Sequence, residues 1–149
     1  MSSPITGREY PAVGPYLVAR EKIRDFALAT KNTHRVHREV QAAQQAGYAD
    51  LVAPPTFLVT LAQRAEAAVL ADPEAEVDFS RVVHADERFS LSRPIVAGDE
   101  LLARATVASD KALGGHRMVT TETVVTDATD TQVATVRSSL LVRAVDEEA

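Results

Sequence analysis

The side chains best suited to chemistry in this sequence are its four histidines, two of which lie close together. His34 and His37 are three residues apart, and Glu39 follows them. An imidazole titrates near neutral pH, with an unperturbed pKa of about 6.5, and it is also a common metal ligand. Because no clear third ligand accompanies the two imidazoles, we predict neither a metal site nor a cofactor.

The remaining candidate groups favour structural roles. His84 and Asp86 lead into the predicted strand that holds Phe89, and a structural hydrogen bond is expected there rather than catalysis. His116 follows a Gly-Gly turn and is expected to be exposed, and Glu66 is the only acid inside the longest predicted helix. The sequence has no Gly-x-Ser-x-Gly motif, no phosphate-binding loop and no zinc-ligand spacing.

Composition and length narrow the class of protein. The 149 residues, 46% hydrophobic and 25% charged, fit a single globular domain over residues 1–149. A net charge of −5 argues against nucleic acid as the main partner, and the absence of cysteine excludes disulfides. No run of 18 apolar residues and no signal-peptide pattern occurs, so we expect no membrane span and a cytoplasmic location.

The first half of the chain is predicted to be helical. Ile23, Phe26, Ala27 and Thr30 share one face of the first helix, and Gly47 ends the second. The third helix is capped by Thr56 and has few polar residues. A helix that is apolar almost all round is a buried helix. The predicted helices span residues 21–30, 38–46 and 56–71.

The second half of the chain is predicted to form strands, and residues 146–148 are predicted to form a loose tail. One buried helix followed by antiparallel strands predicts an α+β, hot-dog fold, in which a curled antiparallel sheet wraps around one long central helix. Such a sheet leaves open edges, so we expect pairing with a second copy or a related chain. The predicted strands span residues 16–19, 82–83, 88–91, 101–109, 118–126 and 132–145, with a hairpin turn at Gly114-Gly115.

Three stretches of the sequence carry a family resemblance. They are VAREKIRDFA (residues 18–27), GYADLVAPPTF (47–57) and RVVHADERFSLSRPIVAGDEL (81–101). In this order they resemble the MaoC-like dehydratases and hydratases of the hot-dog superfamily. Within that group they are similar to actinobacterial (3R)-hydroxyacyl-carrier dehydratase subunits that accompany a separate catalytic subunit. The resemblance covers nearly the whole chain.

The catalytic motif of that group is only partly present. Hydratases of the group carry Asp-x-Asn-Pro-x-His, whose Asp and His form the acid/base pair. In the matching segment His37 is kept, but Asn32 replaces the Asp and Arg35 the Pro. The group's Ala-His-Gly stretch, whose Gly N–H is the oxyanion donor, corresponds to Ala53-Pro54-Pro55. Pro55 has no N–H, although the Thr56 and Phe57 amides could partly substitute for it.

The resemblance implies a subunit of a (3R)-hydroxyacyl-thioester dehydratase whose own site is degenerate. The substrate would be an acyl thioester of acyl carrier protein or coenzyme A. The partner would be a MaoC-like catalytic subunit, with a homodimer as the alternative. The implied site comprises His37 and Asn32 at the catalytic positions, and Pro55, Thr56, Phe57 and Thr60 lining the substrate.

Other interpretations remain open at this point. An acyl thioesterase would need a carboxylate on the central helix, and Glu66 lies late in that helix. A non-catalytic acyl-binding protein is compatible with Asn32 and Pro55. Residues 20–38 hold six basic and two acidic side chains. This cationic segment suits an anionic partner, or else it is a solvated helix face with ion pairs such as Glu21–Arg24.

Overall fold

The computed structural model describes residues 4–145, so the predicted tail at 146–148 lies outside the described residues. After a first short strand, the elements follow the predicted order of helices and then strands, and the α+β class is confirmed. The strands are β1 (Val13–Leu17), β2 (Val82–Leu91), β3 (Glu100–Leu113), β4 (His116–Thr126) and β5 (Gln132–Val142). The helices are α1 (Arg20–Ala29), α2 (Val40–Gln45) and α3 (Val59–Ala71).

The five strands form one antiparallel sheet in the order β1-β3-β4-β5-β2. The predicted hairpin joins β3 to β4 through Gly114 and Gly115, whose φ angles are 56° and 84°. These positive values suit glycine and the right-handed twist of the hairpin. The strands β1 and β2 form the two edges, and the ten residues of β2 make it the longer edge.

Several strand boundaries differ from the prediction. Residues 82–83 and 88–91 belong to one strand, β2, which is interrupted by a bulge between His84 and Asp86. The bulge breaks the alternation that a sequence pattern relies on. In addition, β3 continues to Leu113, β5 ends at Val142 and β1 begins at Val13.

Helix α3 packs on one face of the sheet but is not buried all round. It begins at Val59 rather than at Thr56, because residues 55–58 form a turn in which the Phe57 N–H donates to the Pro54 carbonyl at 2.9 Å. The prediction of an almost entirely buried helix is wrong. Much of its apolar character comes from alanines, and alanine tolerates an exposed face. Its buried residues are Leu61, Ala62, Ala65, Glu66 and Val69, whereas Gln63, Arg64 and Ala67 are exposed.

A short extended segment, residues 51–53, ties the first half of the chain to the sheet. The Val52 N–H donates to the Val36 carbonyl at 2.9 Å, and the Ala53 N–H donates to the Ile95 carbonyl at 2.8 Å. Residues 35–37 form a single 3₁₀ turn against this segment. The loop that carries the two histidines is therefore held beside the turn that leads into α3.

Candidate functional site

An open groove of about 820 Å³ lies where the histidine loop, the segment before α3 and the end of β2 meet. It brings together three of the predicted site residues, His37, Asn32 and Pro55. Its other lining residues are His34, Val36, Ala46, Tyr48, Val52, Ala53, Leu91, Ser92, Arg93, Pro94 and Ile95.

His37 is buried, with 7% of its surface exposed, and its ring is fixed by the backbone. Its Nδ1 lies 2.6 Å from the Val52 carbonyl oxygen. A carbonyl oxygen can only accept, so Nδ1 carries the hydrogen in this contact. In the neutral ring the lone pair is then on Nε2, which makes no hydrogen bond within residues 4–145. The geometry leaves His37 with a free acceptor nitrogen.

His34 has the opposite arrangement of hydrogen-bonding groups. It is the N-cap residue of the 35–37 turn, and its Nδ1 accepts from the Val36 N–H at 3.3 Å. A backbone N–H can only donate, so the ring hydrogen is on Nε2. The His34 and His37 rings pack edge to face, with centroids 5.9 Å apart and planes at 62°.

The two predicted departures from a complete catalytic site, Asn32 in place of the acid and Pro55 in place of the oxyanion donor, both lie at the groove. Asn32 is half-buried, and its side-chain oxygen accepts from the His34 N–H at 3.3 Å. An amide in this position offers hydrogen bonds but no exchangeable acidic proton. Pro55 lines the groove without an N–H, so the groove lacks a backbone donor there.

The other predicted substrate-lining residues, Thr56, Phe57 and Thr60, do not line the groove. Phe57 is 1% exposed and packs edge to face on Phe26, with ring centroids 5.5 Å apart. Its N–H is engaged in the turn before α3, so it cannot replace the missing donor. The Thr60 hydroxyl donates to the Phe57 carbonyl at 3.0 Å. Thr56 is exposed, and its N–H finds no backbone acceptor in the described part of the chain.

Sequence reasoning did not identify Tyr48, Ser92 or Arg93 as groove residues. The Arg93 guanidinium binds Asp99 at 2.8 Å and Asp127 at 3.4 Å, and these contacts fix the groove's rim. Asp99 belongs to the Gly-Asp pair of the third resembling stretch, which is the signal that could have revealed this pairing. Asp127 is strongly acidic, because the hydroxyl and N–H of nearby threonines and the Arg93 side chain lower its pKa to about 2.

Glu66 lines a different cavity, of about 270 Å³, which shares no lining residue with the groove. The carboxyl is buried, and the Thr121 hydroxyl donates to it at 2.8 Å. Burial raises the pKa of Glu66 above its ordinary value. His84 lines the same cavity and contacts Glu87 at 3.0 Å, rather than the predicted Asp86. The β2 bulge explains this change of partner.

The cationic segment is largely balanced by local ion pairs. Arg20 binds Asp50 at 2.7 Å, Arg35 binds Glu39 at 2.7 Å, and Arg24 binds Glu21 as predicted. The structure therefore favours a solvated, ion-paired surface over a dedicated anion site. Among residues 4–145 no three metal-ligating side chains converge. None of the helices described is long and apolar enough to cross a membrane.

Comparison with known proteins identifies the family. The model of the FAS1-like dehydratase domain region matches residues 5–136. The chain is 52% identical to a UPF0336 protein of Leifsonia xyli subsp. xyli, over 93% of each chain. It is 30% identical to a chain of the HadBC (3R-hydroxyacyl-ACP dehydratase) complex of Mycobacterium tuberculosis, covering 95% of this chain and 99% of that one, with a TM-score of 0.82.

A second solved structure, a MaoC-like dehydratase, is 31% identical with a TM-score of 0.88. The match covers 97% of this chain and 44% of that longer chain. These similarities confirm the predicted hot-dog fold and the predicted resemblance to MaoC-like dehydratases. The chain thus belongs to the FAS1-like dehydratase-region family, whose hot-dog fold it shares with MaoC-like dehydratases.

Proposed function

We propose that this chain is a subunit of a (3R)-hydroxyacyl-thioester dehydratase that lines the acyl pocket and leaves the chemistry to a MaoC-like partner. One observation carries the proposal. In the groove the Nε2 of His37 is free to act as a base. The positions that the family resemblance assigns to the acid and to the oxyanion donor are held by the amide of Asn32 and by the tertiary amide nitrogen of Pro55, which carries no hydrogen.

Dehydration of a 3-hydroxyacyl thioester needs three groups. A base removes a proton from C2, a donor stabilises the negative charge on the thioester oxygen, and an acid protonates the departing hydroxyl. The Nε2 of His37 is suited to the first task. Loss of the acid lowers the rate by about 10²–10⁴, and loss of an oxyanion donor by about 10²–10³. Together they would reduce turnover by roughly 10⁴ or more if independent.

A catalytic partner is supported by the architecture and by a relative. Strand β2 is a ten-residue edge of the sheet, and a second hot-dog chain could cover an edge of this kind. The similar Mycobacterium tuberculosis chain is part of the HadBC (3R-hydroxyacyl-ACP dehydratase) complex. We therefore favour a hetero-dimer with an intact Asp/His pair in the partner, over a homodimer with two incomplete sites.

The test is to assay (3R)-hydroxyacyl-thioester dehydration by this chain alone, by a co-expressed MaoC-like partner alone, and by the complex. We expect turnover in the complex and at most about 10⁻⁴ of that rate from this chain alone. Activity of the isolated chain close to that of the complex would overturn the division of labour. Release of free thiol from an acyl thioester would instead indicate a thioesterase.

The structure offers no support for the thioesterase alternative at this groove. Glu66, the carboxylate that reaction would use, faces a separate cavity and is hydrogen-bonded by Thr121. A non-catalytic acyl-binding protein would show tight acyl binding without turnover in the presence of any MaoC-like partner.

A further inference from the structure

We propose that the cavity beside Glu66 is a socket for a lysine side chain of the partner subunit. That the cavity takes an alkylammonium group rests on its own residues, whereas the partner subunit as the source of that group rests on the proposed function. The socket is the cavity of about 270 Å³ lined by Gln63, Glu66, Ala67, Leu70, Phe79, Val82, His84 and Leu140.

The carboxyl group of Glu66 is short of hydrogen-bond donors. It is 2% exposed; the Thr121 hydroxyl donates to Oε1 at 2.8 Å, and Oε2 accepts no hydrogen bond from the described residues. The Ser138 hydroxyl also lies near this carboxyl, but its single hydrogen is donated to Glu87 at 2.9 Å. When Glu66 ionises, its charge is therefore buried with one donor, and a buried charge requires a partner.

The described part of the chain does not supply that partner. Within residues 4–145 no lysine or arginine forms an ion pair with Glu66 or Glu87, and His84 is the one basic group that contacts Glu87. Burial is the largest influence on the pKa of Glu66 and raises it. An ammonium group in the cavity would stabilise the ionised carboxylate and offset this cost of burial.

A bulge in β2 supplies the second polar part of the lining. On a regular strand, residues three apart lie on opposite faces of the sheet. Ala85 has no partner in β5, and this extra residue lets His84 and Glu87 meet, with Nδ1 lying 3.0 Å from Oε1. The carboxylate can only accept, so Nδ1 carries the hydrogen and the neutral ring keeps an acceptor at Nε2.

These groups are complementary to the side chain of lysine. Its ammonium group carries three donors and a positive charge, and its four-carbon stem is apolar. Glu66 and His84 offer acceptors, while most of the remaining lining residues are apolar. One water molecule occupies roughly 30 Å³ in the liquid, so a cavity of about 270 Å³ has room for a larger group.

The position of the cavity favours a protein as the source of the amine. Val82 and His84 belong to β2, the edge strand that a second hot-dog chain would cover. Phe79 and Val83 are 70% and 44% exposed beside this edge. Exposed apolar side chains next to an unpaired edge strand are typical of a surface that another chain covers. A lysine of that chain would enter the cavity as the two subunits pair.

The probe for the cavity is n-butylammonium, which reproduces the end of a lysine side chain, and n-butanol is the uncharged comparison. Both are titrated into the full-length chain at slightly alkaline pH, where an alkylamine stays protonated because its pKa is near the value of about 10.4 for lysine. We expect the backbone amide NMR signals of Ala67, Val82 and His84 to shift with n-butylammonium and not with n-butanol.

Two variants test whether the amine binds at Glu66. Glu66→Gln keeps an acceptor for Thr121 and should weaken amine binding about tenfold to a hundredfold. The matched control is Glu122→Gln, which removes the same charge from an exposed residue outside the cavity and should leave binding unchanged. Ala67→Phe keeps the carboxyl but fills the cavity from an exposed helix position, and it should also abolish amine binding. Wild-type amine binding by either cavity variant would overturn the socket.

The complex with a co-expressed MaoC-like partner identifies the source of the amine. We expect n-butylammonium to shift none of these signals in the complex, and Glu66→Gln, unlike Glu122→Gln, to weaken the complex about tenfold or more. Amine binding that persists unchanged in the complex would overturn the partner lysine. An equal response to n-butylammonium and n-butanol, or none to either, would overturn the socket and leave the proposed function intact. Failure to form any complex would overturn the proposed function and the partner lysine, while the titration of the chain alone still decides whether the cavity binds an alkylammonium group.

Discussion

The contact between His37 and the Val52 carbonyl predicts that His37→Leu destabilises the domain. The carbonyl oxygen lies 2.6 Å from Nδ1 and accepts no other hydrogen bond within the described range. Val52 is only 9% exposed, so water cannot fully replace the lost donor. Leaving such an oxygen unpaired costs about 1–3 kcal/mol. For a domain of this size we expect Tm to fall by roughly 2–12 °C.

A second substitution separates the structural role of His37 from its chemical role. The side-chain amide nitrogen of asparagine occupies approximately the position of Nδ1, so His37→Asn can still donate to Val52 but has no Nε2. We expect urea denaturation to show most of the wild-type free energy of unfolding for His37→Asn and a clear loss for His37→Leu. If the free energy of unfolding of the leucine variant lies within about 0.5 kcal/mol of the wild-type value, the hydrogen bond does not hold the histidine loop.

Three further predictions concern the core, an edge strand and the groove. Because burial raises the pKa of Glu66, the wild type should lose stability as pH rises from about 4.3 through the raised value. Glu66→Gln should remove that pH dependence of the free energy of unfolding. If urea denaturation shows the same pH dependence for the variant and the wild type, the prediction is contradicted. Gly14→Ala should lower the melting temperature of the domain more than Gly98→Ala does. Both glycines have a positive φ, but of the two only Gly14 would place a Cβ 2.6 Å from a strand carbonyl oxygen. Equal melting temperatures would contradict this steric argument. The double variant Asn32→Asp/Pro55→Gly would restore both the acid and the oxyanion donor. We expect its isolated chain to turn over about 10²-fold or more faster than either single variant. A double variant no faster than the better single variant would refute the assignment of the missing acid to Asn32 and of the missing donor to Pro55.

Much of the fold could be predicted from local patterns. The spacing of Ile23 and Ala27 indicated the buried face of α1, and the Gly-Gly pair indicated the β3–β4 hairpin. The start of α3 could not be predicted in this way, because Thr56 is a residue type that favours the N-cap position. Only the turn at 55–58 shows that Leu58 occupies that position. The β2 bulge could not be predicted from the sequence pattern either, since it depends on how β2 pairs with β5.

The candidate site was predictable only in part. The family resemblance pointed to His37, Asn32 and Pro55, which the fold brings to one groove. It could not reveal the tautomers of the two histidines, because their partners are backbone groups of Val36 and Val52 that share no sequence pattern. The same limit applies to the contact between Arg93 and Asp127, which lie 34 residues apart in the sequence.

The division of labour between two subunits can be tested most directly in the reconstituted complex. The measurement is the dehydration rate with (3R)-hydroxyacyl thioester after one histidine is replaced in each subunit in turn. The account predicts that His37→Asn in this chain leaves kcat within about tenfold of wild type, whereas replacing the partner's acid/base histidine lowers kcat by about 10²–10⁴. The reverse pattern, with kcat dependent on His37 and indifferent to the partner's histidine, would contradict it.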